Sequence, residues 1–431
     1  MISAIKMSLI IYALIMASLV ISYTPRLVCW SYARKKQKRL YNEKKNRIAL
    51  VVPARNESMS IGALLKSVSA QDYPRELFDL HVIVADENDK TIEMAKEVGG
   101  ITYVVSDQTC KGDALDFCLK SVINKDPDRY DAYIVIDADC ILESNFVSEM
   151  NNALASGAEI ICAKKKVKNY FFGGKKEQTL SACCNAVIWT LIDNMGNAYK
   201  GAHGYPCFTV GTGLMLSKKV VNTLGGWPYR ATVTEDMELM QDMVLRDWKS
   251  FYYEHAVFYM EEATELSVTN KRRKRWMTGV VDSRRIYAKA HKEDPHHHEK
   301  TMKFYHVTSL NRVYAMMGIS ALFSISNLVL SALFTLFESG AVKYALINAA
   351  AGAGFIYAAF FIMTLVALIA DWENIKLPFY KKMIVLFIHP VFYMKYIEIV
   401  AIATFTNKGR SWEVIDRVDF SKSTFEKDTH D

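Results

Sequence analysis

An apolar run, YIVIDADC from Tyr133 to Cys140, ends in two carboxylates one residue apart, Asp137 and Asp139. A buried strand has no use for them. At a strand end, a D-x-D presents two hard oxygen donors at a loop mouth. Such donors suit Mg²⁺ or Mn²⁺, which keep waters and bridge to substrate phosphates. A departing diphosphate gains charge as its bond breaks, and such a cation neutralises it. Alone, the motif fits a pair of solvated loop aspartates better than a metal site. Two further stretches change its meaning. Thr234-Glu235-Asp236 stands just before MELMQDMVLRD, which reads as a helix. Thr234 suits its N-cap, and acids favour a helix N-terminus. The same Asp236 suits a base for an incoming hydroxyl. KRRKRW, Lys271 to Trp276, places Arg272 and Arg275 on one helix face with Trp276. Arginine suits bidentate phosphate contact. A basic run beside a membrane also fits anionic lipid, and Lys271 and Lys274 read as headgroup contacts.

These groups need a frame that gathers them. From about residue 47 to 165 the chain alternates between near-continuous apolar runs and amphipathic ones. RIALVVPA, DLHVIVAD, ITYVVS and DAYIVID read as strands. MSIGALLKSVSA, NDKTIEMAKEVG, GDALDFCLKSVIN and ESNFVSEMNNALAS read as the helices between them. This predicts a parallel sheet covered on both faces, with ligands outside the carboxyl ends of its strands. Asn56 and Glu57 follow the first strand, Asp86 ends the second, and Asp137 and Asp139 end the fourth, so all share one edge. No G-x-G-x-x-G follows the first strand and no P-loop occurs, which argues against a dinucleotide or P-loop site. FTVGTGLML holds Gly211, Thr212 and Gly213. Its glycines fit either close approach to a sugar or a tight strand bend.

The 431 residues are 51% hydrophobic and 23% charged, but segregated, with a polar middle and apolar ends. Met7–Tyr23, Val313–Phe337 and Tyr344–Ala370 are long enough to span a bilayer. Met383–Phe405 is apolar but carries His389, Pro390, Lys395 and Glu398, so it is expected to bend at Pro390 and cross only partly. That would keep GRSWEVIDR, beyond it, near the catalytic side. The basic cluster from Arg34 to Arg47 marks the cytosolic side by the positive-inside rule. The expected organisation is a transmembrane helix in 1–30 and a basic juxtamembrane linker in 31–46. A cytosolic domain with interfacial helices follows in 47–300, then transmembrane or interface helices in 301–406 and a polar tail in 407–431. LSACCNAVIWTLIDNMGNAYK, from Leu180, is a candidate interfacial helix. The eight cysteines form no C-x-x-C pair and no zinc spacing, and read as reduced thiols. PHHHE, with His296 to His298, reads as a solvated loop. The net charge of +7 fits lipid headgroups, and no nucleic-acid motif is present.

Taken in order, VVPARNE, VIVADENDKT, KGDALD, IDADC, GTGLML, TED and RRKRW resemble the membrane-embedded inverting glycosyltransferases of family 2. These include cellulose, chitin, hyaluronan and poly-N-acetylglucosamine synthases. The resemblance covers roughly residues 47 to 285. It implies an α/β fold of GT-A type, Rossmann-like with a mostly parallel sheet, flanked by transmembrane helices. It further implies an inverting, metal-dependent hexosyltransferase using Mg²⁺ or Mn²⁺ and a nucleotide sugar, a UDP-sugar by expectation. Carried over residue by residue, Glu57, Asp86, Lys111, Asp137 and Arg275 bind the nucleotide. Asp139, with Asp137, holds the metal, and Asp236 is the general base. Glu235 and Trp276 face the acceptor, with Gly211, Thr212 and Gly213 beside them. Arg272 departs from the family pattern, which has glutamine there, and so leaves open how the site grips its sugars. The acceptor is expected to be a growing β-linked polysaccharide in a plasma-membrane enzyme, with a membrane lipid as the alternative. A homo-oligomer or a secretion partner stays open. A non-catalytic sugar-nucleotide sensor or lipid-flipping protein would also keep the fold, but has no need of the full set of acids.

Overall fold

The computed structural model describes residues 35–305 and 341–406, with isolated positions at 10, 14, 17, 322, 326 and 329. The first and second apolar runs and the 407–431 tail with GRSWEVIDR lie outside the described residues, those isolated positions aside. The alternating segments fold as expected. The strands are β1 Ile48–Pro53, β2 Phe78–Val84, β3 Ile101–Val104, β4 Ala132–Val135, β5 Ile141–Leu142, β6 Ile160–Val167, β7 Leu214–Ser217 and β8 Ser250–Met260. They form one sheet in the order β3-β2-β1-β4-β7-β6-β8-β5. The β3-β2-β1-β4 half is parallel, with Pro53 opposite Ile83 and Val51 opposite Val135. The far half is mixed. β7 runs antiparallel between β4 and β6, while β6 and β8 are parallel.

The apolar strands are explained by burial on both faces. In β1, Ile48, Leu50 and Val52 pack with Ile61, Leu64 and Val68 of α1 (Ile61–Ser69). Ala49 and Val51 point the other way, toward Leu115, Cys118 and Leu119 of α3 (Lys111–Lys125). α2 (Thr91–Glu97) and α4 (Phe146–Ala153) complete the crossovers. α5 (Leu180–Trp189) continues into a π-helical stretch, Thr190–Asn197. This is the segment expected at the membrane interface, and the structure corrects that. Every residue from Ser181 to Thr190 is buried, because the helix is packed between sheet and C-terminal helices.

The chain then adds α6 (Lys218–Leu224), α7 (Glu235–Leu245), α8 (Leu266–Glu293), α9 (Ala341–Ala370) and α10 (Phe379–Phe405). α10 runs unbroken through Pro390. It lies along α8. Arg273 Nη1 donates to Phe392 O at 3.3 Å, and Arg285 Nη2 to Thr404 O at 2.6 Å, so the equal offset makes the helices parallel. The Arg273 guanidinium, fully buried, also sits 3.6 Å from the Phe392 ring centroid and 4.6 Å from that of Tyr396. The PHHHE stretch is not a loop throughout: His297 begins a short helix, His297–Tyr305. The expected linker is docked from Gln37 onward. Gln37 Nε2 donates to Tyr252 O at 2.9 Å, Leu40 N to Tyr253 OH at 3.0 Å, and Asn46 N to Asn151 Oδ1 at 3.1 Å.

Candidate active site

A cavity of about 660 Å³ opens at the carboxyl ends of β1 and β4. Glu57, Lys111, Asp137, Asp139, Gly211, Thr212, Glu235, Asp236, Arg275 and Trp276 all line it. Residues from six separate segments thus converge, as the sheet-edge rule predicts.

Each is placed by local chemistry. Asn56, at the turn after β1, takes a left-handed φ of 57°, which asparagine tolerates, and the turn brings Glu57 to the cavity. The Glu57 carboxylate accepts from Ser60 Oγ. Cys110 and Asp113 cap α3. Asp113 Oδ2 accepts from Thr109 N at 2.8 Å and Cys110 N at 3.1 Å, so the helix begins at Lys111 on the cavity wall. Lys111 Nζ lies 2.6 Å from Asp137 Oδ1 and 3.5 Å from Glu235 Oε1. Burial pulls this ammonium down, but Asp137 and Glu235 outweigh it and hold it above the ordinary lysine range.

Gly211 joins Lys111 to Asp236. Lys111 Nζ donates to its carbonyl, and its amide donates to Asp236 Oδ2 at 2.9 Å. A Cβ on Gly211 would stand 2.8 Å from Glu235 Oε1 and 3.1 Å from Lys111 Nζ. The space beside this glycine is taken by side chains of the cavity itself. Burial first, then the charge of Glu235, raises the Asp236 carboxyl to about 7. A base near neutrality is matched to proton transfer. Burial and the neighbouring Arg272 lower Arg275, against Glu235, Asp236 and Asp137, which raise it.

Several expected residues are placed differently from the rest. Asp86 lies outside the cavity lining. It is exposed, and its carboxylate accepts from Asn88 N at 2.8 Å and Asn88 Nδ2 at 3.2 Å, closing a local turn. Gly213 also lies outside. Its φ is +66°, and a Cβ there would meet Phe258 Cε1 at 2.0 Å, so it serves the strand bend. Thr212 lines the cavity, but its hydroxyl accepts from Asp137 N at 2.9 Å and so positions the D-x-D. Thr234 is the α7 N-cap residue, yet its side chain makes no capping bond. Gly279 of α8 approaches so closely that a Cβ would stand 1.8 Å from Thr234 Oγ1.

The cavity also recruits residues not picked out from the sequence. Arg55, Arg230 and Arg284 add positive charge, while Trp189, Tyr393 and Tyr396 close the inner end. Arg55 sits inside the quoted VVPARNE, a signal that was available. The tyrosines come from α10 and follow only from its packing on α8.

Among the described residues, no three His, Cys, Asp or Glu side chains cluster to hold a metal alone. Mg²⁺ and Mn²⁺ do not require this, since one or two carboxylates plus substrate phosphates and waters suffice. Asp137 already faces a cation, Lys111, and Asp139 lines the same wall, so the donor set fits a divalent ion.

This sheet order and this edge-on constellation of acids define a glycosyltransferase of GT-A fold. Residues 45–279 match the model for glycosyltransferase like family 2, and the chain belongs to that family. Its fold is similar to that of mannosyltransferase PcManGT from Pyrobaculum calidifontis, solved with GDP-Man and Mn²⁺. The TM-score is 0.52 at 15% identity, over 84% of this chain and 98% of that one. TarS 1-349 of S. aureus, solved with UDP-GlcNAc, matches at TM-score 0.42 and 14% identity, over 81% of this chain and 92% of that one. No curated protein matches the chain.

Proposed function

We propose that the protein transfers a sugar from a nucleotide sugar, a UDP-sugar by family resemblance, to an acceptor hydroxyl with inversion. The carrying observation is that Asp236, Lys111, Asp137, Asp139, Arg275 and Trp276 share one cavity. Asp236 takes the proton of the acceptor hydroxyl as its oxygen bonds to the anomeric carbon. The bond to the diphosphate breaks, and its electron pair leaves with the diphosphate. Arg275 and Lys111 supply positive charge to that leaving group. Asp139 and Asp137 would hold Mg²⁺ or Mn²⁺, which neutralises the diphosphate when bound. Trp276 offers an aromatic face to the acceptor sugar.

The acceptor in this reading is a growing β-linked polysaccharide. A second reading, a membrane lipid acceptor, is favoured by one observation: Ile188, Ile192, Met277, Val280, Tyr393 and Tyr396 give the cavity a large apolar lining.

The enzyme is proposed to sit at the cytosolic face of the plasma membrane. Among the described residues one helix, α10, is long and apolar enough to cross a bilayer, and Ile356–Ala370 in α9 is a shorter apolar stretch. The outward row of α10 is apolar at first, with Phe379, Tyr380, Ile384, Phe387 and Val391 exposed. It then changes to an exposed Lys395–Glu398 pair at 2.6 Å. Its neighbour α8 carries Lys271, Lys274, Arg285 and Lys289. Two parallel helices of this composition fit a membrane interface better than a crossing.

Purified protein should release UDP from a panel of UDP-sugars with Mg²⁺ or Mn²⁺, and Asp236→Asn should not. Equal nucleotide binding by both without turnover would leave the sensor. Labelled donors given to membranes separate the acceptors: an organic-soluble product marks a lipid, a high-mass glycosidase-sensitive one a polymer.

A further inference from the structure

Arg272, where the family pattern has glutamine, brings a charge into a nearly dry wall. Its side chain is 11% exposed. A buried cation needs a counter-charge. The structure supplies Glu262, which is fully buried. Arg272 Nη1 lies 3.9 Å from Glu262 Oε2 and donates to Glu261 O at 3.5 Å. Glu262 is itself fixed by Asn169, whose Oδ1 accepts from Glu262 N at 2.8 Å and whose Nδ2 donates to Glu262 O at 3.0 Å.

The pair continues into the aromatic wall. Glu262 Oε1 accepts from Trp189 Nε1. Trp189 meets Trp276 edge to face, with centroids 5.7 Å apart and planes at 66°. The Arg272 guanidinium carbon sits 5.2 Å from the Trp276 ring centroid, which closes the circuit. Trp189, Arg272 and Trp276 line the cavity, and Glu262 stands behind them. Each indole is thus held by an aromatic contact and by one member of the ion pair.

We infer that Glu262 and Arg272 are matched positioning residues that set the tilt of Trp276 and so the seat of the acceptor sugar. The inference rests on the transferase reading. It makes the departure at Arg272 one half of a two-residue device, with the acid ten positions upstream as the other half. A poorly seated acceptor lets water compete for the anomeric carbon, so the sensitive quantity is transfer against hydrolysis.

The test uses Glu262→Gln, Arg272→Gln and the double variant, in membranes carrying the full chain and supplied with labelled donor. Each single variant should lower the ratio of transferred to freely released sugar about tenfold, the scale expected of coupled neighbours. The double variant, neutral again, should return to about twofold of the parent. Donor KM should stay unchanged throughout. In purified protein, the near-UV circular dichroism of the Trp189–Trp276 pair, identified by its loss in Trp276→Phe, should change in each single variant and recover in the double. A raised donor KM in Arg272→Gln alone would make Arg272 a diphosphate ligand and overturn the inference. Lowered melting temperatures with ratio and dichroism unmoved would also overturn it. A parent that never turns over would instead sink the transferase reading, while the dichroism still reports on the device.

Discussion

Asp137, at the cavity mouth, keeps 33% of its side chain exposed, whereas Lys168, at the end of β6 beneath it, keeps none. At the mouth, Asp137, Glu235 and Asp236 crowd around Lys111. In the floor, Lys168 pairs with Glu261 at 3.8 Å and donates to Asp139 O at 3.1 Å, and Lys165 pairs with Asp193 at 3.7 Å. The residue types are the same, but the two sets of charge serve opposite ends. Mouth charges retain an open side for substrate. Floor charges are turned inward on one another and on the backbone. Buried pairs of this kind add little net stability when intact but cost much when broken. Substitutions at the mouth should therefore appear in turnover, and those in the floor should appear in folding.

The largest expected effect is kinetic. Asp236→Asn should lower kcat by about 10²–10⁴-fold, the range for loss of a general base, without lowering the melting temperature. Lys168→Met tests the other side of the contrast. It removes the buried cation facing Glu261 and should cost about 3–5 kcal/mol in denaturant unfolding. If that variant kept its stability and lost only turnover, floor and mouth would not differ as described. Gly213→Ala should cost about 1–3 kcal/mol, from overpacking against Phe258 and the positive φ, whereas Gly211→Ala should act first on turnover. The smallest effect is a pH signature. Asp236 binds a proton in the folded chain up to about 7, above its ordinary 3.8. The folded state binds more protons than the unfolded one in that window, so this carboxyl's contribution to stability falls as pH rises through it. Activity should rise over the top of the same window as the base ionises. Asp236→Asn should remove the stability slope, and its persistence would place the titration elsewhere.

Much of the site was legible because its chemistry is local in sequence. A D-x-D closing an apolar strand, T-E-D before a helix and R-x-x-R-W inside one each state a role within a few residues. The alternation of segments likewise predicts the parallel half of the sheet. What was not legible depends on distances between segments. Asp86 ends a strand on the right edge, but that strand is β2, beside β1, and Asp86 is outside the cavity lining. Gly211 and Gly213 are two residues apart, and only Phe258 behind one of them separates their roles. Thr234 reads as a cap until Gly279 crowds its hydroxyl. The antiparallel β7 left no mark, because a short apolar strand reads alike in either direction. The α5 segment misled for a related reason. Burial on every side resembles an apolar interface when partners are unknown.

The peptide unit at Gly211 has a further consequence. Its carbonyl accepts from Lys111 and its amide donates to Asp236, so one rigid plate touches both. Displacing that loop takes one contact from each, while Lys111 keeps Asp137 and Asp236 keeps the Met237 amide. If the proposed transferase reading holds, a shift of that loop would loosen the cation and the proton acceptor at the same moment, so neither would be retuned without the other.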